Sequence, residues 1–573
     1  MKLTTCCLLV LALACGDDDL TPMDDAGVDA TTVDDAGPDA SVVDFPAERP
    51  PLSTVPTEGV RRDVFLVPGA TPPANPETSD ATPAELDFTQ VLRYRRDVDP
   101  PAAARAIVIC MPGFLGGGGS FEGLARALVR TGLEGEAIEV WAIDRRSNLL
   151  EDLAGMDAAE VLGDPEVAQA YYFGDATVGG RAFEGYLSQD SLPYLSEWGL
   201  ATHAEDLRRV IALVPQAERR ARVFLLGHSL GASFTEAYAA WRFEDDVRGD
   251  QELAGLVLVD GALGNVPSTE EEYRTGSSGG AFPSPGVDGV RAEGGTRYTE
   301  LPLLGIDVYA RAEISSLRAL TAPDAVVRDT GRDRTLGILS GLAPSRVPAM
   351  SNAAALAFAF DDELQPLGFV RAKLGHLTGG PIESYENALA GGATLMRPSD
   401  PSATYTWQDA PLRDPDEHTP VRNLAESFVH GRSNFAEWYF PTRLPIDLAA
   451  VGGANVAEES WQAGEGLRAF DGELVDAPVL AIAAALVGDP TRYEAIRDRL
   501  APTLGEGRPN AGQARVVDGA SNELAFRIVD ATDLEHLDPV FSDETVETNP
   551  VPSAVLRFVG EHVAAGTITI EAR

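Results

Sequence analysis

The pentapeptide Gly227-His228-Ser229-Leu230-Gly231 follows directly on the apolar run Val223-Phe224-Leu225-Leu226. A Gly-x-Ser-x-Gly turn between a buried strand and a helix lifts a serine hydroxyl onto a tight bend above a sheet, where it can attack an electrophilic carbon. Glycines two residues either side of the serine permit the bend and keep bulk away from an incoming substrate. A chain with 56 glycines can carry this pattern by chance. The apolar run before it and the helix-forming stretch 232–239 after it supply the setting that chance does not. A serine hydroxyl is a poor nucleophile until a base takes its proton, so this chemistry requires one of the seven histidines and an acid to orient it.

The elements that must position such a serine are legible around it. Strand-like runs lie at 64–67, 88–94 and 106–110, and the last of these, Ala106-Ile107-Val108-Ile109-Cys110, is continuously apolar, as in a strand buried on both faces. A glycine-rich loop, a helical stretch at 121–128 and a strand at 138–143 follow. Thr202 is placed to cap a helix over 204–211, with Glu205 three residues on completing a capping box. After the serine turn comes Leu256-Val257-Leu258-Val259-Asp260. Regular alternation then stops, and 264–471 holds helical pieces punctuated by Gly- and Pro-rich stretches. It resumes with a strand at 477–482, a helix at 492–500, a strand at 524–529 and a last helix from about 553 to 562. Strands alternating with helices predict a mostly parallel sheet covered on both faces. The economical division is a sheet domain over 57–263 and 472–573, interrupted by an insertion over 264–471.

The ordered set of strand, glycine-rich loop, Gly-x-Ser-x-Gly turn, late insertion and terminal histidine-bearing loop resembles the α/β-hydrolase fold over 60–263 and 472–573. The inserted segment resembles no known cap. The resemblance implies a nucleophile at Ser229 and a base after the last strand, where His536 stands. His228 would have a supporting role; His203 sits at a helix start, His562 in the last helix, and His376, His418 and His430 in the insertion. The acid usually follows the strand at 478–483, but Ala483, Ala484 and Ala485 stand there and Asp489 comes late. The other site is the end of the preceding strand, where Asp260 stands; Asp260 is preferred and Asp489 is the alternative, both keeping the order serine, acid, histidine. The oxyanion formed on attack needs backbone N–H donors already in place. The resemblance assigns these to Leu230 and to Phe114 of Met111-Pro112-Gly113-Phe114-Leu115-Gly116, with Leu115 in reserve. The four glycines 116–119 lack a following Lys-Ser/Thr, which argues against a nucleotide cradle. Aromatic residues of the insertion, among them Trp407, Phe428, Phe435 and Trp438, are expected in the lid core, with some lining an apolar pocket over Ser229.

Composition gives an address. Lys2, the apolar run 8–14 and Cys15 form a segment too short to span a bilayer and suited to an export signal over 1–15. Leu-Ala-Leu-Ala-Cys resembles a bacterial lipobox, apart from Ala12 where leucine is usual. That resemblance implies lipidation of Cys15 and a place at the outer membrane or cell surface, with plain secretion as the alternative. Residues 16–56 are Asp-rich, with Asp24-Asp25-Ala26-Gly27-Val28-Asp29-Ala30 echoed as Asp34-Asp35-Ala36-Gly37-Pro38-Asp39-Ala40. This composition predicts an extended tether. A net charge of −44 argues against nucleic acid and anionic membrane surfaces as partners, so membrane attachment is expected through the lipid alone. Of four cysteines, only Cys110 remains in a folded segment, so no disulfide is expected there.

The resulting expectation is an α/β-hydrolase core with a large cap, cleaving carboxylic esters with hydrophobic acyl or alcohol groups through an acyl-enzyme. Its partner is a small-molecule or lipid ester, and no cofactor or metal is called for. An exopeptidase or amidase of the same fold, or a non-catalytic surface lipoprotein, is the alternative; either would be separated from an esterase by substrate panels and by active-serine labelling.

Overall fold

Along Ala104–Met111 alternate side chains point to opposite faces of a sheet: Val108 and Cys110 enter one buried apolar cluster, Ile107 and Ile109 another. A strand buried on both sides needs a layer on each, and the chain supplies both. The structure, a computed structural model, describes residues 43–45, 59–277, 284–301, 303–409, 418–429, 433, 435–500, 514–516, 526–541 and 549–570. Nine strands make the central sheet: β1 (Val60–Pro68), β2 (Phe88–Arg96), β3 (Ala104–Met111), β4 (Ala137–Asp144), β5 (Val223–His228), β6 (Gly255–Val259), β7 (Val479–Ala483), β8 (Ala514–Val516) and β9 (Phe526–Asp530). Their order is β8-β9-β7-β6-β5-β3-β4-β2-β1. β2 is antiparallel to both of its neighbours, β1 and β4, while the pairs from β4 to β8 are parallel.

Helices α1 (Glu122–Thr131), α2 (Leu200–Ile211) and α3 (Leu230–Ala239) precede the insertion; α4 (Asp307–Thr321), α5 (Thr330–Ser340) and α6 (Val421–Phe428) lie within it; α7 (Pro550–His562) closes the chain. Leu124 and Leu128 of α1 and Val555 and Val559 of α7 pack with Val108. Leu207 of α2 and Phe234 of α3 pack with Ile107 on the other face. This strand order, with a serine turn after the fifth strand and helices on both faces, is the α/β-hydrolase fold. The insertion between β6 and β7 carries the hairpin Ile382–Asn387 with Ala393–Pro398 and a small sheet around Thr404–Gln408. It is not a detached lobe. Ile314, Leu424 and Phe428 join the Val108 cluster, and Leu444 and Leu448 join the Ile107 cluster.

Two local expectations are corrected. The helix expected from 204 begins at Leu200, whose amide donates to Asp447 Oδ2 at 2.9 Å. A carboxylate from the insertion thus does the capping. Thr202 lies inside the helix and donates its hydroxyl to the Glu197 carbonyl at 2.7 Å, so neither it nor Glu205 forms a capping box. The tether expected over 16–56 is not free along its whole length, because Asp44–Phe45 pairs in parallel with Thr177–Val178. Apart from Val43, its other residues, the export signal and Cys15 lie outside the described residues.

Candidate active site

Ser229 occupies the bend between β5 and α3 at φ 57° and ψ −124°, a conformation that costs an L-residue energy and is sustained by its surroundings. Those surroundings are glycines. A Cβ at Gly227 would run into the Gly231 carbonyl, one at Gly231 into the Met111 carbonyl, and one at Gly261 into the Ser229 carbonyl. The Ser229 amide donates to Val259 O at 2.9 Å, which ties the bend to the end of β6.

Asp260 directly follows β6 and is fully buried. The loop after β7 folds over it: the amides of Ala484 and Val487 donate to Oδ1, both at 2.9 Å, and that of Leu486 to Oδ2 at 3.1 Å. His536, on the segment after β9, brings Nδ1 to 2.7 Å from Asp260 Oδ2. Burial acts to raise the Asp260 pKa, but the hydrogen bond and charge of His536, with the Val487 amide, outweigh it and hold the carboxyl below its ordinary value. An ionised carboxylate accepts only, so Nδ1 of His536 donates and Nε2 is left as the basic nitrogen. The expected alternative, Asp489, is not brought to this site. It is exposed, caps the short helix Pro490–Tyr493 and accepts from the Thr491 amide at 2.9 Å. Asp538 is also elsewhere, binding the amides of Glu535 and Lys373 and the Thr419 hydroxyl.

His228 stacks on His536 with ring centroids 4.5 Å apart, and its Nε2 donates to the His536 carbonyl at 2.8 Å. Burial, and then the neighbouring His536, pull its pKa down to about 3. It is therefore a neutral prop beneath the loop. His203, buried in α2, bonds the Gly199 carbonyl at 2.7 Å and likewise has its pKa lowered to about 3 by burial. His430 lies outside the described residues.

Gly113 faces the nucleophile so closely that a Cβ there would lie 2.9 Å from Ser229 Cβ and 3.3 Å from Oγ. Phe114 and Leu115 follow it, both lining the same cavity as Ser229 and His536, while Leu230 is the first residue of α3. What holds this loop was not anticipated from the sequence. Arg145, buried just beyond β4, donates through Nη2 to the carbonyls of Pro112 (2.6 Å) and Gly113 (3.2 Å) and through Nη1 to that of Gly116 (3.0 Å). Glu437, from the insertion, accepts from Nη1 at 2.8 Å. Engaging three carbonyls of one short loop fixes its peptide planes, and with them the direction of its amides. Asp144 adds a further tie, accepting from the Gly118 amide at 2.5 Å and from Gln90 at 2.7 Å. Burial raises its pKa to about 6 despite those hydrogen bonds.

The cavity over Ser229 is mostly apolar. Leu301, Leu304 and Val308 contribute from one side and Phe360, Phe369 and Phe428 from another. Of the insertion aromatics expected near the site, Phe428 and Phe435 line it, whereas Trp438 is buried in the lid with Nε1 donating to Glu313 at 2.9 Å. No carboxylate occurs among its described lining residues. No grouping of three or more His, Cys, Asp or Glu able to hold a metal ion occurs among the described residues.

No family model matches the chain, and no curated protein matches it. Solved structures do overlay on it. A protein from Sulfolobus solfataricus carrying a provisional lipase assignment has 13% identity and a TM-score of 0.40, covering 88% of this chain and 95% of that one. A peroxisomal alpha-beta-hydrolase from Saccharomyces cerevisiae has 11% identity and a TM-score of 0.36, covering 89% and 94%. An epoxide hydrolase from an endophytic Streptomyces has 12% identity and a TM-score of 0.33, covering 88% and 96%. Overlays at these values carry no weight for activity; strand order and the serine turn carry the fold.

Proposed function

We propose that this protein is a serine hydrolase that cleaves carboxylic esters with hydrophobic acyl or alcohol groups through an acyl-enzyme. The observation that carries this reading is the 2.7 Å contact of His536 Nδ1 with Asp260 Oδ2, made by a histidine that shares one apolar cavity with Ser229. In the proposed cycle His536 Nε2 takes the proton as Ser229 Oγ attacks the carbonyl carbon. Negative charge on the carbonyl oxygen is met by the amides of Leu230 and Phe114. The alcohol leaves with the proton returned by Nε2, and a water activated in the same way releases the acid. The absence of a carboxylate from the described cavity lining disfavours an exopeptidase, which would need one to grip a substrate amine.

A fluorophosphonate probe tests the reading directly. The folded protein takes up the label and hydrolyses p-nitrophenyl esters, and Ser229→Ala loses the label and about 10⁴-fold or more in rate. Undiminished hydrolysis by folded Ser229→Ala removes the proposal, and an unlabelled, inactive wild type points to a binding protein. We further propose that Cys15 is lipidated and anchors the protein to the envelope; retention of Cys15→Ser in the membrane fraction would count against it.

A further inference from the structure

The cavity has a second polar feature, away from the serine turn. Helix α5 turns one face to it, with Arg332, Thr335, Leu336 and Leu339 at helical spacing, and α4 adds Arg311. The two arginines differ in how they are satisfied. Arg311 binds Asp307 at 2.8 Å, lies 3.5 Å from Asp329 and covers the Phe173 ring. Arg332 is 5% exposed, yet its guanidinium makes a single side-chain hydrogen bond among the described residues, from Nη2 to Asp333 Oδ1 at 3.2 Å. That carboxylate is shared with Arg328, which holds Oδ2 at 2.8 Å. The Arg332 Nε is buried with no partner, as is that of Arg145; the two differ at their terminal nitrogens, where Arg332 makes one hydrogen bond and Arg145 makes four.

A guanidinium offers five N–H donors in a fork that fits a carboxylate. Burying it in an apolar wall is unfavourable unless acceptors are supplied. Burial does pull the Arg332 pKa below the usual arginine value, against the pull of Asp333. A purely structural arginine would be expected to engage more of its donors, as Arg145 does with three carbonyls and a carboxylate. With no carboxylate among the described lining residues, the missing acceptor is one that a ligand would bring.

We infer that the ester taken by this cavity carries a carboxylate on its chain, received by Arg332, so that the substrates are half-esters of aliphatic dicarboxylic acids or esters of hydroxy-carboxylic acids. This rests on the ester-hydrolase reading above. An uncharged chain leaves the Arg332 donors not taken by Asp333 unpaired, whereas a carboxylate meets them after their desolvation has already been incurred in folding.

The test compares substrates of equal length that end in a carboxylate or a methyl group, from six to twelve carbons. One arm uses p-nitrophenyl half-esters, with the carboxylate on the acyl side; the other uses acetate esters of ω-hydroxy acids, with it on the alcohol side. At the fitting length, in one arm, kcat/KM favours the carboxylate by about tenfold or more, and Arg332→Met removes that preference while Arg332→Lys keeps part of it. A second measurement needs neither turnover nor an Arg332 variant. Ser229→Ala protein titrated with monomethyl esters of dicarboxylic acids binds them more tightly than the matching dimethyl esters. A ratio at or below one at every length in both arms, or a preference untouched by Arg332→Met in folded protein, overturns the inference while leaving labelling at Ser229 intact. Selective binding of the monomethyl esters by a protein that neither labels nor hydrolyses would instead retain the Arg332 site and remove the hydrolase.

Discussion

Arg145 and Glu437 meet 2.8 Å apart beneath the loop that carries Phe114, one from the end of β4 and the other from the insertion. The pair is buried, with side chains 1% and 2% exposed, and it couples the insertion to the loop that carries Phe114. Arg145→Met should lower kcat by about 10²–10³-fold with much smaller change in KM, because loop amides act on the transition state rather than on the bound ester. Breaking a buried pair leaves an orphaned carboxylate, so the kinetics are read beside Arg145→Met with Glu437→Gln, well below the melting temperature. A loss confined to KM, or one that tracks melting temperature alone, would reduce Arg145 to a structural role.

Asp260→Asn should cost about 10⁴-fold in rate with little loss of secondary structure, since an amide can hold His536 in the wrong tautomer. Asp489→Asn, exposed at a short helix cap, should change rate and stability little. Steady-state kinetics on the two proteins decide this, and the reverse pattern would return the acid to the loop after β7.

Asp538 gives a pH signature opposite in sign to that of Asp260. Burial raises its carboxyl to about 7 against three hydrogen bonds, whereas an unfolded aspartate titrates near about 3.9. The folded chain thus keeps a proton that the unfolded chain has lost. Stability from this group is greatest below the unfolded value, falls as pH rises through the interval up to about 7, and is level above it. The depressed Asp260 instead contributes above the unfolded value and loses its contribution as pH falls through the folded one. Urea unfolding of Asp538→Asn between about pH 4.5 and 8 should show a flatter profile than wild type. Parallel profiles would mean that Asp538 is ionised throughout.

The serine turn, the order of the triad candidates and the alternating core were legible because each is written in contiguous sequence. Gly227, Ser229 and Gly231 mark their own bend, and a short run such as Ala106–Cys110 carries its own period. The long-range partnerships were not. Nothing near Arg145 announces Glu437, 292 positions away, and the start of α2 is set by Asp447, not by the local Thr202. The cavity wall of α4, α5 and Phe369 has no local signature either, because ordinary apolar spacing serves lid packing and substrate contact alike. The preference for Asp260 over Asp489 came from its place at a strand end, whereas the loop 484–487 folding down over that carboxylate had no signal in the sequence.

The backbone of Ser229 has a consequence for how variants of this protein would be ranked. Its φ of 57° and ψ of −124° cost a side-chain-bearing residue about 1–3 kcal/mol, while glycine's extra unfolded freedom costs about 0.5–1 kcal/mol. Ser229→Gly should therefore gain up to about 2.5 kcal/mol and melt higher than wild type while hydrolysing nothing, which calorimetry beside an ester assay would show. Unchanged or lower stability would mean that the bend is unstrained. A screen that rewarded heat resistance alone would enrich inert proteins at this position, so any search for robust variants must select for turnover at the same time.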